Sequence, residues 1–206
     1  TGNLTVSASF NNGAGTLGST FQSLDLTFGG NGIIPASGYT AAGTLALRAP
    51  AGTLTGTGPV TAPSVVLQAA NGIGSVGVPV NTATPSLTVT TSAGGAEISD
   101  STAGTLQVGG TISGNGAFNL VEATGNIGIA GLNLQGNMPA LVKTATGAKS
   151  ITVAGAGLTS GTGASAVTLV ADTITLTGPV AITGTGGPGT LTLAPTTLSR
   201  IINVGT

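Results

Sequence analysis

Ten aliphatic-x-aliphatic triplets stand in a row along this chain at nearly constant spacing. They begin Leu4-Thr5-Val6, Leu24-Asp25-Leu26, Leu45-Ala46-Leu47, Val65-Val66-Leu67 and Leu87-Thr88-Val89. They continue Leu106-Gln107-Val108, Ile127-Gly128-Ile129, Ile151-Thr152-Val153, Ile174-Thr175-Leu176 and Leu191-Thr192-Leu193. The steps between first residues are 20, 21, 20, 22, 19, 21, 24, 23 and 17. Successive side chains of a strand point to opposite sides, so each triplet is the smallest sign of a strand with one buried face. A fixed period of about 21 residues marks a repeat architecture, in which each unit buries its apolar face only by stacking on its neighbours.

Between the triplets lie shorter β-prone pieces that end in Gly, Asn or Pro. Thr53-Leu54-Thr55 runs into Gly56-Thr57-Gly58-Pro59-Val60, and Ile174-Thr175-Leu176-Thr177 runs into Gly178-Pro179-Val180. Asn31-Gly32-Ile33 and Asn71-Gly72-Ile73 fall at nearly the same phase, two coils apart. Gly and Asn supply the positive φ that tight corners need. Each coil therefore reads as two or three strands joined by turns. The expectation is an all-β chain, a right-handed parallel β-helix (β-solenoid) of roughly ten coils of about 21 residues. It would form one repeat domain over residues 1–206. Ten rungs about 4.8 Å apart would make a rod of about 48 Å.

Composition agrees with that architecture and excludes others. Charged residues are 4% of the chain and aromatics 2%, against about 25% charged in an average soluble protein. Gly (37 residues) and Thr dominate, hydrophobic residues reach 40%, and mean hydropathy is +0.49. Disorder needs low hydrophobicity and high net charge, and the net charge here is -1. Collagen needs Gly at every third position, which is absent. The abundance of Gly, Thr, Val and Ile disfavours helix. Residues 49–96 carry no charge but are broken by Pro50, Gly52, Gly56, Pro59, Pro63, Asn71, Pro79 and Pro85. With no apolar run of about 18 residues and no aromatic girdle, membrane insertion is not expected.

Residues 64–98 carry a family resemblance. Ser64-Val65-Val66-Leu67-Gln68-Ala69-Ala70-Asn71-Gly72-Ile73-Gly74-Ser75 leads to Pro79-Val80-Asn81-Thr82, then Leu87-Thr88-Val89-Thr90-Thr91 and Gly94-Gly95-Ala96-Glu97-Ile98. This resembles the repeat region of filamentous-haemagglutinin-like large exoproteins of Gram-negative bacteria. Leu191-Thr192-Leu193-Ala194-Pro195 is similar to segments of the same proteins. The resemblance implies a right-handed parallel β-helix, export to the cell surface, and roles in adhesion, aggregation or biofilm. It carries over no functional residue. The Asn-Pro-Asn motifs of that family's secretion domain do not occur, so the resemblance points to its shaft.

Chemistry-bearing residues are scarce. There is no His and no Cys, which removes His-based triads, thiolate metal sites and disulfides. The acids are Asp25, Glu97, Asp100, Glu122 and Asp172, and the bases Arg48, Lys143, Lys149 and Arg200. Glu97 and Asp100 are the only acids close in sequence, and they read as a solvated corner that keeps a neutral rod soluble. Gly109-Gly110 and Gly186-Gly187 lack the Asp that a calcium-binding β-roll repeat requires. Gly184-Thr185-Gly186 precedes no helix and has no placed Lys, so it is not a phosphate loop. Asn3-Leu4-Thr5 matches a glycosylation sequon at a frequency that chance explains. Four basic residues make nucleic acid an unsuitable partner.

No catalytic, cofactor-binding or metal-binding residue is assigned, no cofactor is expected, and the chain is not read as an enzyme. The outward residues of the ten triplets are Thr5, Asp25, Ala46, Val66, Thr88, Gln107, Gly128, Thr152, Thr175 and Thr192. An ice-binding face would show an unbroken Thr ladder, and here only the last three are consecutive Thr. Both Thr1-Gly2-Asn3-Leu4 and Ile201-Ile202-Asn203-Val204 read as uncapped coil. That leads us to expect either a longer chain or copies stacked end to end or side by side. The expected function is a structural or adhesive segment of an extracellular or cell-surface fibre, against a host or matrix surface. The alternative is a Thr-rich module that binds ice or glycan.

Overall fold

The computed structural model describes residues 3–6, 21–136, 139–161, 166–184 and 187–197. Among the described residues there is no helix. Almost every strand pairing is parallel. The exceptions are the short pairing of Val180–Gly184 with Gly187–Pro188 and an isolated bridge between Ser75 and Val78. Parallel neighbours belong to successive coils, so the chain winds as a β-solenoid.

One wall is built from the predicted triplets. Leu24 pairs in register with Leu45, Leu45 with Val65, Val65 with Leu87, Leu87 with Val108, Val108 with Ile129, Ile129 with Val153, and Val153 with Leu176. These seven steps of 21, 20, 22, 21, 21, 24 and 23 residues make seven turns, with Asn3–Val6 pairing as a further strand on Phe21–Thr27. Seven rises of about 4.8 Å give about 34 Å, shorter than the 48 Å expected from ten coils.

One triplet is out of register and one is miscounted as a turn. Leu87 does not face Leu106 but Val108, two residues along. Because the pleat repeats every two residues, this slip keeps the same face inward and leaves no trace in the apolar pattern. Leu191 stacks on Val167 in the other wall, so the 17-residue step was never a turn.

That second wall stacks Leu54 on Ile73, Ile73 on Ala96, Ala96 on Phe118, Phe118 on Ala140, Ala140 on Val167, and Val167 on Leu191. The two walls face each other across one narrow, continuous core of Leu, Val, Ile and Ala. Fully burying one such Leu stabilises by about 1.5–3 kcal/mol. The core holds more aromatics than its low aromatic content suggests. Phe28, Tyr39 and Phe118 are all buried. Phe118 fits because its neighbours above and below are Ala96 and Ala140, a small-large-small alternation.

The corners differ in chemistry. At the corner entering the second wall, coils approach so closely that side chains are excluded. A Cβ on Gly94 would lie 2.0 Å from the Asn71 carbonyl oxygen, and one on Gly95 would lie 2.1 Å from that of Ala117. Asn side chains tie neighbouring coils here: Thr53 N–H donates to Asn31 Oδ1 (3.0 Å), and Asn71 Nδ2 donates to the Ala51 carbonyl (3.4 Å). At the corner leaving the second wall, the residues are polar and buried.

Candidate functional site: a buried acidic corner

Three successive strands of the second wall end in inward polar residues. Ala96–Asp100 buries Ala96, Ile98 and Asp100. Phe118–Glu122 buries Phe118, Leu120 and Glu122. Pro139–Thr144 buries Ala140, Val142 and Thr144. The register stacks Thr82 on Asp100, Asp100 on Glu122 and Glu122 on Thr144. Below Thr82 the same column is apolar, with Val60 on Tyr39. Asp100, Glu122 and Thr144 are each 0% exposed.

A buried charge or polar group is tolerable only with hydrogen-bond partners. Asp100 finds them in two coils. Its Oδ2 accepts from Thr82 Oγ1 (2.6 Å) and Thr84 N–H (3.2 Å), and its Oδ1 accepts from Thr102 N–H (2.8 Å). Glu122 Oε1 accepts from the N–H groups of Thr124 and Gly125, both 2.9 Å, and from Thr124 Oγ1 (3.3 Å). Thus each carboxyl caps the turn that follows its own strand. Glu122 Oε2 is buried and receives no donor among the described residues. Burial raises the Glu122 pKa to about 7, helped by the neighbouring Asp100 carboxyl and opposed by the two backbone N–H groups.

Asp172 caps a turn two coils further along. It accepts from Thr196 Oγ1 (2.6 Å), Thr197 N–H (2.9 Å), Thr197 Oγ1 (2.9 Å) and Ala148 N–H (3.0 Å). The bond from Thr196, with those from Ala148 and Thr197, holds its carboxyl well below the usual range.

The acids close in sequence are thus not partners in space. Glu97 and Asp100 sit on opposite faces of one strand. Glu97 is half-buried on the outside, accepting from Asn119 Nδ2 at 2.6 Å, while Asp100 is inside. The solvated corner expected for the pair is correct for neither exposure nor pairing at Asp100. Its spatial partner is Glu122, one coil on. The signal was present in the sequence: Ala96-x-Ile98-x-Asp100 and Phe118-x-Leu120-x-Glu122 both carry an acid into the inward phase.

The remaining charges among the described residues are on the outer surface. Arg48 Nε donates to Asp25 Oδ1 (3.2 Å) and Arg48 Nη1 to Gln68 Oε1 (2.9 Å), linking three coils. Lys143 is exposed and Lys149 half-buried, and Arg200 lies outside the described residues. Among the described residues no three acids, His or Cys gather as a metal-holding group. Gly109 and Gly110 lie at a bulge, where Gly110 pairs with Val89 below and Leu132 above. Residues 185 and 186 of the glycine runs lie outside the described residues, as do residues 1, 2 and 201–204 of the expected open ends.

The outer rows are chemically mixed. Asp25, Ala46, Val66 and Thr88 lie in one row, and Gln107, Gly128, Thr152 and Thr175 in another. Thr192 stands beside Thr168 on the second wall, not above Thr175. A shallow cleft of about 160 Å³ lies beside the glycine corner, between Ser75, Val76 and Glu97. Val76 projects from its rim and is 88% exposed.

Fold and corner together define a β-solenoid with an apolar core and a buried acidic corner at one end of its second wall's strands. No family model, curated protein or solved structure matches the chain.

Proposed function

We propose that the chain is a structural segment of a bacterial extracellular or cell-surface fibre, a stiff shaft serving adhesion, aggregation or biofilm, and not an enzyme. The observation that carries this reading is the seven-turn ladder from Leu24 to Leu176, whose outer rows are neutral and chemically irregular. A shaft needs continuity along its axis and places no demand on any one outer row. The resemblance of residues 64–98 to exoprotein repeats supports the same reading.

The alternative, a face that binds ice or glycan, needs a regular array. In register, Thr152–Thr175, Thr168–Thr192 and Thr90–Thr111 are runs of two, and each is flanked below by Gly128, Leu141 or Gln68. Ring-stacking platforms for sugars are also missing from the described outer rows, since Phe28, Tyr39 and Phe118 are inside and Phe21 packs against the core.

With few charges and a net charge of -1, electrostatic repulsion between rods is weak. The purified chain should form laterally associated rods in electron micrographs at both low and high salt, with no thermal hysteresis. Rods that dissolve in salt would sink the neutral-packing reading, and clear thermal hysteresis would replace the shaft with an ice-binding module.

A further inference from the structure

We propose that Asp100 and Glu122 share one proton inside the solenoid, making a pH-sensitive latch between two successive coils that closes when protonated and loosens when the proton leaves. The two residues are register partners on adjacent strands, and both are fully buried. Glu122 Oε2 is buried without a donor, and the Asp100 carboxyl is its neighbour one coil down. Two ionised carboxylates have acceptors only, so a bond between them requires a proton on one. The location of that proton follows from the donors already in place. Both Asp100 oxygens accept bonds, and Glu122 Oε1 accepts three, whereas Glu122 Oε2 has none. A proton on Oε2, donated toward Asp100, satisfies the one orphaned oxygen of the corner.

Among the described residues no neighbouring cation replaces it. The strands packed on Phe118–Glu122 are Ala96–Asp100 and Pro139–Thr144. The first carries Glu97, which faces outward onto Asn119. The second carries Lys143, which is exposed on the outer face. Facing strands Thr105–Ile112 and Asn126–Leu134 bear no charged residue. Across Thr144 the next acid is Asp172, whose oxygens are occupied by Ala148, Thr196 and Thr197. A bound metal fits poorly, since calcium takes about six to eight oxygens and only one oxygen here lacks a donor.

Loss of the proton leaves two like charges buried on consecutive rungs, which neither water nor a base relieves. The consequence is local opening of the corner between residues 100 and 125 at alkaline pH, while the apolar walls remain stacked.

The test is carboxyl-carbon NMR of the labelled full chain, whose few acids are readily resolved, together with thermal melting across pH. The Glu122 carboxyl should titrate near neutrality, far above the ordinary carboxylate range. Wild-type Tm should fall as pH rises from about 5 to about 8. Glu122→Gln keeps the Oε1 acceptor and donates an N–H toward Asp100, so it should lose that fall. The wild-type NMR titration decides the matter even if the variant does not fold. A Glu122 carboxyl that titrates in the ordinary carboxylate range would overturn the proposal. So would a Tm that drops with EDTA and rises with added calcium, because a cation would then occupy the corner in place of the proton.

Discussion

Asp100 lies opposite Glu122 across one rung of the second wall, both with their side chains inside, while Glu97, three residues before Asp100, points outward. The pleat decides this, since residues an odd number apart on a strand face opposite sides. The two acids of that strand should therefore behave differently when removed. Asp100→Ala strands the Thr82 hydroxyl and the Thr84 and Thr102 N–H groups. It should cost about 3 kcal/mol or more in urea denaturation. Glu97→Ala loses one half-exposed bond to Asn119 and should cost below about 1 kcal/mol. Equal losses would mean the inward assignment of Asp100 is mistaken.

Stability should pass through a maximum on the acid side of neutrality. Glu122 is raised from 4.5 to about 7, so the folded chain binds more protons than the unfolded one in that window, and stability falls as pH rises through it. The amplitude is on the order of 3 kcal/mol. Asp172 is lowered from 3.8, so its contribution is present above that value and fades as pH falls below it. The two slopes meet near pH 4–4.5, and melting curves taken from pH 2 to 9 should peak about there. A monotonic rise toward pH 8 would contradict the buried position of Glu122.

Two glycines offer a matched pair. Gly110 has φ +122° at the bulge, and a Cβ there would meet the Val89 carbonyl oxygen at 2.0 Å. Gly110→Ala should destabilise by about 2 kcal/mol or more, combining backbone strain with the clash. Gly104 is exposed, and a Cβ on it meets nothing within 4 Å. Gly104→Ala should change stability by less than about 1 kcal/mol in either direction. Denaturant midpoints of the two variants, measured side by side, check both statements.

The core should respond as a packed one. Leu67 is 0% exposed and sits between Leu47 and Val89 in the stack. Leu67→Ala should cost about 2–5 kcal/mol, whereas Val66→Ala, on the half-exposed outer row, should cost under about 1.5 kcal/mol. If both variants melt alike, the alternation along Ser64–Ala69 is wrong.

Much of this fold was legible because period 2 within a triplet and a near-constant step between triplets are independent signals that agree. They located the first wall from Leu4 to Leu87 residue by residue. What they missed has one physical origin. Register slips by two residues conserve the inward face, so Leu106 and Val108 are indistinguishable as partners of Leu87. A repeat read from spacing alone also does not say which wall a triplet joins, which is how Leu191 entered the count. The acidic corner was hidden for another reason. Proximity along the chain drew attention to Glu97 and Asp100, but in a solenoid the close neighbour of a residue is one coil away, about 22 positions on, as Asp100 and Glu122 are.

The ladder that runs from Leu24 to Leu176 carries the proposal that the chain is a shaft, and its least obvious joint is directly measurable. Ser86, Thr105 and Gln107 are all exposed, and the chain has no Cys of its own. In the register found here Ser86 stands opposite Gln107, whereas aligning the triplets Leu87 and Leu106 would place it opposite Thr105. Two double variants, Ser86→Cys with Gln107→Cys and Ser86→Cys with Thr105→Cys, can be treated with the shortest bifunctional thiol reagent and resolved by mass spectrometry. The parallel ladder predicts rapid, near-complete bridging of the first pair and slow, partial bridging of the second. Preferential bridging of Ser86 to Thr105 would contradict the two-residue slip, and bridging of neither pair would contradict the stacked coils on which the proposed shaft depends.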